Sequence, residues 1–99
     1  MAEAQPQQRQ IQIRIPDDVL KGHYANIVHI TSSKEEFLFD FGTVNAQQGN
    51  GIITDRIFMN PTHVKRMIEL LQRVMQQYET AHGSVSSAET PQEIGFTTS

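Results

Sequence analysis

The sequence predicts an α+β domain, an antiparallel meander of about four strands followed by one long C-terminal helix packed on the sheet. Two patterns predict it. Apolar residues alternate at every second position in short runs up to Met59, and from Val64 to Tyr78 they recur at three- and four-residue intervals. The change of period falls at Asn60-Pro61, where Asn is a favoured N-cap and Pro is pre-organised for the first helical position.

The first strand is expected over Gln10 to Ile15, where Ile11, Ile13 and Ile15 alternate with Gln12 and Arg14. Pro16 and Asp17-Asp18 end it, and the stretch to Gly22 reads as a turn or a single helical turn. Tyr24 to Thr31 resumes strand character through Ile27, Val28 and Ile30. A polar connection, Ser32 to Glu35, then leads into Glu36 to Phe41, where Phe37, Phe39 and Phe41 share one face. The segment Gly42 to Gly51 is rich in Asn, Gln and Gly and is expected to be a mobile hairpin loop. Ile52 to Met59 forms the fourth strand, with Ile53, Asp55, Ile57 and Met59 on one side and Ile52, Thr54, Arg56 and Phe58 on the other.

In the helix, Val64, Met67, Ile68, Leu71, Val74, Met75 and Tyr78 make one apolar stripe, and Met59 is spaced from Val64 as a hydrophobic staple. The opposite face carries Lys65, Arg66, Glu69, Gln72, Arg73, Gln76 and Glu79, with Glu69 and Arg73 at ion-pair spacing. Gly83 is the expected stop.

Ninety-nine residues bound the chain to one domain, and its polar ends place the folded part at residues 10–83, between a disordered N-terminus (1–9) and a disordered tail (84–99) whose largest apolar residues are Ile94 and Phe96. A domain this small has a thin core, so self-association is the expected remedy. A net charge of −3 and an isoelectric point near 5.7 argue against a dedicated nucleic-acid binder. The absence of cysteine excludes a disulfide framework, an iron–sulfur cluster and a thiolate zinc site. No apolar run approaches the ~20 residues of a membrane span, and the Gln-rich start has no signal-peptide core; a cytoplasmic protein is expected.

The chemical motifs are weak. Asp40-Phe41-Gly42 spells the magnesium tripeptide of protein kinases but lacks every partner that tripeptide needs, so an outward Asp, an inward Phe and a turn Gly are expected. Gly49-Asn50-Gly51 is a turn rather than a phosphate loop. No two of His23, His29, His63 and His82 have the spacing of paired ligands on one helix face, so no metal and no cofactor is expected. Ser32 and Ser33 lie in a turn without a base, and no catalytic residue is assigned. Lys65, Arg66 and Arg73 give the helix a modest basic face, the alternative being a nucleic-acid-associated regulator that uses it.

Apolar surplus carries more weight. With Phe37, Phe39 and Phe41 covering the helix stripe, Leu38, Ile52 and Phe58 are expected on the other sheet face, as the contact with an identical chain or another protein.

Tyr24-Ala25-Asn26, Glu35-Glu36-Phe37, Asp40-Phe41-Gly42, and Met59-Asn60-Pro61 leading into His63 and Lys65-Arg66 occur in an order that resembles a family of unknown function, DUF3467, found widely in prokaryotes. The resemblance covers about Tyr24 to Tyr78 and implies no catalytic residues. At the level of architecture, four strands followed by a long helix is similar to the export chaperone SecB, a homotetramer that holds unfolded clients. The expectation is therefore a non-enzymatic homo-oligomer, dimer or tetramer, that binds or scaffolds protein.

Overall fold

The computed structural model describes residues 9–88. Its elements in chain order are α1 (Asp17–Leu20), β1 (Ile27–Ser32), β2 (Phe37–Asn45), β3 (Asn50–Met59) and α2 (Pro61–His82). The strands form one antiparallel sheet in the order β1-β2-β3, so the architecture is the expected α+β meander followed by a helix, with three strands rather than four and with a correction to the expected packing: α2 is not laid along the sheet, and Val64, in its first turn, is its one buried residue. The expectations for residues 1–8 and 89–99, Ile94 and Phe96 among them, lie outside the described residues.

Two tight connections build the meander. At the first, the Ser33 backbone N–H donates to the Glu36 carbonyl at 2.9 Å, and the Ser33 hydroxyl accepts from the Glu35 and Glu36 amides. At the second, the Asn45 side-chain oxygen accepts from the amides of Gln47 and Gln48, and Gly49 closes the turn at φ 69°, a left-handed conformation natural to glycine. Phe39 sits between Ile30 and Ile57 across the strands, and its ring stacks on Phe37 and Phe41 with centroids 6.4 and 6.3 Å apart. It is 5% exposed.

The expected first strand does not form, because its residues find no strand partner among the described residues. Residues 9–16 have no regular structure, and Pro16 leads into the single turn α1, whose Val19 and Leu20 amides donate to the Pro16 carbonyl. The expected loop over Gly42 to Gly51 is also corrected, since β2 runs on to Asn45 and β3 starts at Asn50. Both glycines are strand residues at close approaches. A Cβ on Gly42 would collide with the Ile52 carbonyl, and one on Gly51 would lie 2.7 Å from the Thr43 carbonyl. The cause is a β-bulge: Phe41 pairs with Asp55 but Gly42 pairs with Ile53, which leaves Thr54 as the extra residue.

The helix starts and stops where its caps dictate. The Asn60 side chain accepts from the His63 amide at 3.1 Å, Pro61 occupies the first position, and Gly83 at φ 98° donates its amide to the Glu79 carbonyl. Burial along α2 fades from its start. Val64 is 6% exposed and Met67 and Leu70 are half-buried, whereas Ile68, Leu71, Val74, Met75 and Tyr78 are exposed. Phe39 and Val64 are the only buried apolar side chains among the described residues.

Gly42→Ala is expected to destabilise the domain by about 1–3 kcal/mol, the usual cost of forcing atoms into a packed site. Gly49→Asn, at a turn with open space around it, should cost far less. Thermal melts of the two variants followed by circular dichroism provide the check; equal melting temperatures would contradict the close-approach role of Gly42.

Candidate interaction surface

Register sorts the sheet into two faces, because residues directly opposite one another project to the same side. One face carries the three phenylalanines with Val28, Ile30, Ile57 and Met59. The other carries three cross-strand rows, Thr31–Leu38–Phe58, His29–Asp40–Arg56 and Ile27–Gly42–Ile53. Its apolar content divides around a charged middle row.

That middle row contains the one buried charged residue among those described. Asp40 is 3% exposed, and Arg56 donates to it from Nε at 2.7 Å and from Nη2 at 3.2 Å. Asp40 is therefore turned inward, contrary to the outward strand Asp expected, and Gly42 two residues on is no turn. The Arg56 hydrogen bond holds the Asp40 carboxyl below the ordinary carboxylate range and outweighs the opposing effect of burial; the neighbouring charges of Arg56 and His29 act in the same sense as the hydrogen bond. The guanidinium is raised in turn by the same contact. Side-on, two-point pairing of this kind also fixes the β2–β3 register, since a slip by one residue would separate the charges.

A second polar couple joins distant parts of the chain. His23 Nδ1 lies 2.8 Å from Asp55 Oδ2, and the Thr54 hydroxyl donates to the same oxygen at 2.8 Å. These hydrogen bonds, from His23 first and Thr54 second, lower the Asp55 carboxyl below its usual range. An ionised carboxylate only accepts, so Nδ1 carries the proton of this contact. Close by, the Asn26 amide donates to the Gly42 carbonyl, and the Asn26 side chain exchanges two hydrogen bonds with the Val44 backbone, at 2.9 and 3.2 Å. Asn26 thus continues the β1–β2 ladder with a side chain.

Of the three residues expected on the free sheet face, the structure brings two together. Leu38 and Phe58 are direct cross-strand partners, with Leu38 half-buried and Phe58 58% exposed. Ile52 is moved to the opposite, phenylalanine-bearing side because the bulge at Thr54 shifts the alternation by one residue; it pairs with Thr43 and remains exposed. The more extensive apolar surface is one that the sequence assigned to the core: Ile68, Leu71, Val74, Met75 and Tyr78 on α2, with Leu71 60% exposed.

On the basic side of α2, Lys65 and Arg66 line an open depression with Pro61, Thr62 and Glu69. Glu69 pairs with Arg66 at 3.6 Å in place of the expected Arg73, so the helix face is partly neutralised. Arg73 lies about two turns further along. Among the described residues no group of three or more His, Cys, Asp or Glu could hold a metal ion, and no described helix is long and apolar enough to cross a membrane.

Sequence inspection missed both polar couples. A signal existed for one of them: Leu38 and Asp40 share a face of β2 as Arg56 and Phe58 share one of β3, and pairing those strands sets Asp40 opposite Arg56. His23 and Asp55, 32 residues apart, carry no such signal. A carboxyl held below its unfolded-state value contributes stability that is present above that value and is lost as the pH falls through the folded-state value. Both aspartates are so placed, so the melting temperature should drop as the pH falls below about 4. Asp40→Asn should lower the melting temperature at neutral pH and make the acid-side decline shallower. An unchanged acid profile in the variant would show that the pair contributes nothing.

No curated protein and no solved structure matches the chain. The model of one family matches residues 1–87, in agreement with the motif order from Tyr24 to Arg66. The chain belongs to that family, described as protein of unknown function (DUF3467).

Proposed function

We propose that the protein is a non-enzymatic, homo-oligomeric binding or scaffold protein, in which copies associate through the apolar stripe of α2 and the Leu38–Phe58 patch. One observation carries this reading: the stripe from Ile68 to Tyr78 is exposed along its length beyond the half-buried Leu70, although its spacing is that of a buried helix face. Each aliphatic side chain taken from water into a packed interface contributes about 1.5–3 kcal/mol. A stripe of four or more such residues, duplicated in a second copy, forms the two-sided seam by which helices pair. Exposure of single apolar residues is common, but a continuous stripe is the mark of a contact surface.

The alternative reading, a nucleic-acid-associated regulator using Lys65, Arg66 and Arg73, has less behind it. Arg66 is engaged by Glu69 at 3.6 Å, and the chain as a whole carries a net charge of −3. The likeness to SecB rests on the order of elements alone and adds no ligand or client to the proposal.

Light scattering from the full chain at micromolar concentration is expected to give a mass of two or four times 11.2 kDa. Leu71→Glu and Phe58→Asp should lower that mass while leaving the far-ultraviolet helix signal intact, because neither residue is buried in the protomer. A wild-type mass of one chain would remove the proposal. Retention of the wild-type mass by both variants would move the interface elsewhere.

A further inference from the structure

We propose that the segment Gln10 to Ile15 of one copy adds as a strand to the open edge of β1 in a second copy, in a reciprocal exchange. This rests on the self-association proposed above and supplies a specific contact for it. The segment has the composition of a strand and none of the partners. Ile11 and Ile13 are 75% and 85% exposed, and no backbone hydrogen bond joins residues 10–15 to another described residue. An unpaired alternating segment and an unpaired sheet edge are complementary templates.

Three features select the β1 edge of another copy. First, β1 presents Val28 and Ile30, both about half exposed, on the face where the isoleucines would extend the apolar surface; Gln12 and Arg14 would then lie beside His29 and Thr31. At the β3 edge, an antiparallel register with Ile13 beside Ile57 would set Arg14 against the Arg56 guanidinium. Second, charge fixes the direction. In an antiparallel addition Arg9 approaches the β1–β2 turn, whose Lys34, Glu35 and Glu36 sum to a net negative charge, whereas a parallel one would bring Asp17 and Asp18 against it. Third, the chain leading into β1 is tied across its own sheet. His23 is bonded to Asp55 on β3 while Asn26 bonds to β2, so the chain leading up to His23 arrives from over β3, away from its own β1 edge. Reciprocal donation closes as a two-fold dimer with both arms paired.

The absence of cysteine allows a direct test. Full-length Gln12→Cys and a size-tagged, full-length Thr31→Cys chain are mixed and treated with a short bis-maleimide. The expected result is a mixed product containing one of each, lost when Ile13→Pro is added to the first chain; the helix signal should persist, because position 13 lies outside α2 and the sheet. A double Gln12→Cys/Thr31→Cys chain that closes on itself at the same concentration would assign the strand to its own sheet and overturn exchange. An oligomeric mass without the mixed product would overturn strand exchange alone, and a single-chain mass would overturn both this inference and the self-association on which it rests.

Discussion

Burial among the described residues is confined, Val64 at the start of α2 apart, to the central strand, where two adjacent residues face opposite sides of the sheet. Phe39 anchors one side among stacked rings, and Asp40 anchors the other through its two-point pairing with Arg56. The first supplies burial and the second supplies register, because an apolar row alone tolerates a slip that a charged pair does not. Everything else follows from β2 being, among the described strands, the one with neighbours on both edges. The hairpins are short because β2 must be flanked at once, and the bulge at Thr54 turns the far end of β3 so that Gly42 and Gly51 can meet the opposing backbone.

That concentration leaves the periphery short of cover. Fixing a residue's backbone costs roughly 1–2 kcal/mol of entropy, and a 22-residue helix with one buried side chain offsets little of its own ordering by burial within the chain. Good caps at Asn60 and Gly83 define where α2 begins and ends, but each cap is worth only about 1 kcal/mol. The stripe from Ile68 to Tyr78, the Leu38–Phe58 patch and the isoleucine arm are three surfaces of one kind, and pairing with a further copy would satisfy all of them. The same geometry explains why the modest basic face of the helix carries less weight, as Arg66 already has a local partner in Glu69.

The helix was legible from the sequence to the residue, since the Asn60-Pro61 start and the Gly83 stop act through local chemistry. The strand cores were legible too, because alternation records which side of a strand is buried. What failed depended on distant contacts. Gly42 and Gly51 looked like loop markers, yet a strand glycine at a close backbone approach has the same spelling as a turn glycine. Ile52 was assigned to the wrong face because a bulge shifts alternation without leaving a mark in the local pattern. The arm from Gln10 to Ile15 carries a strand's pattern with no strand partner among the described residues, and periodicity cannot say whose sheet a strand joins. The cross-strand pairing of Leu38 and Phe58 followed from alternation, whereas the exposed helix stripe was misassigned to the core because an amphipathic pattern marks an apolar face without specifying what lies against it.

The dependence of the melting temperature on protein concentration tests the central claim most directly, since association of folded copies stabilises them by mass action. If the exposed apolar surface is shielded by further copies, the melting temperature rises steadily as the full chain is taken from low to high micromolar concentration. A melting temperature that stays constant over that range, with a cooperative transition throughout, would mean that one chain holds its fold with these surfaces in water.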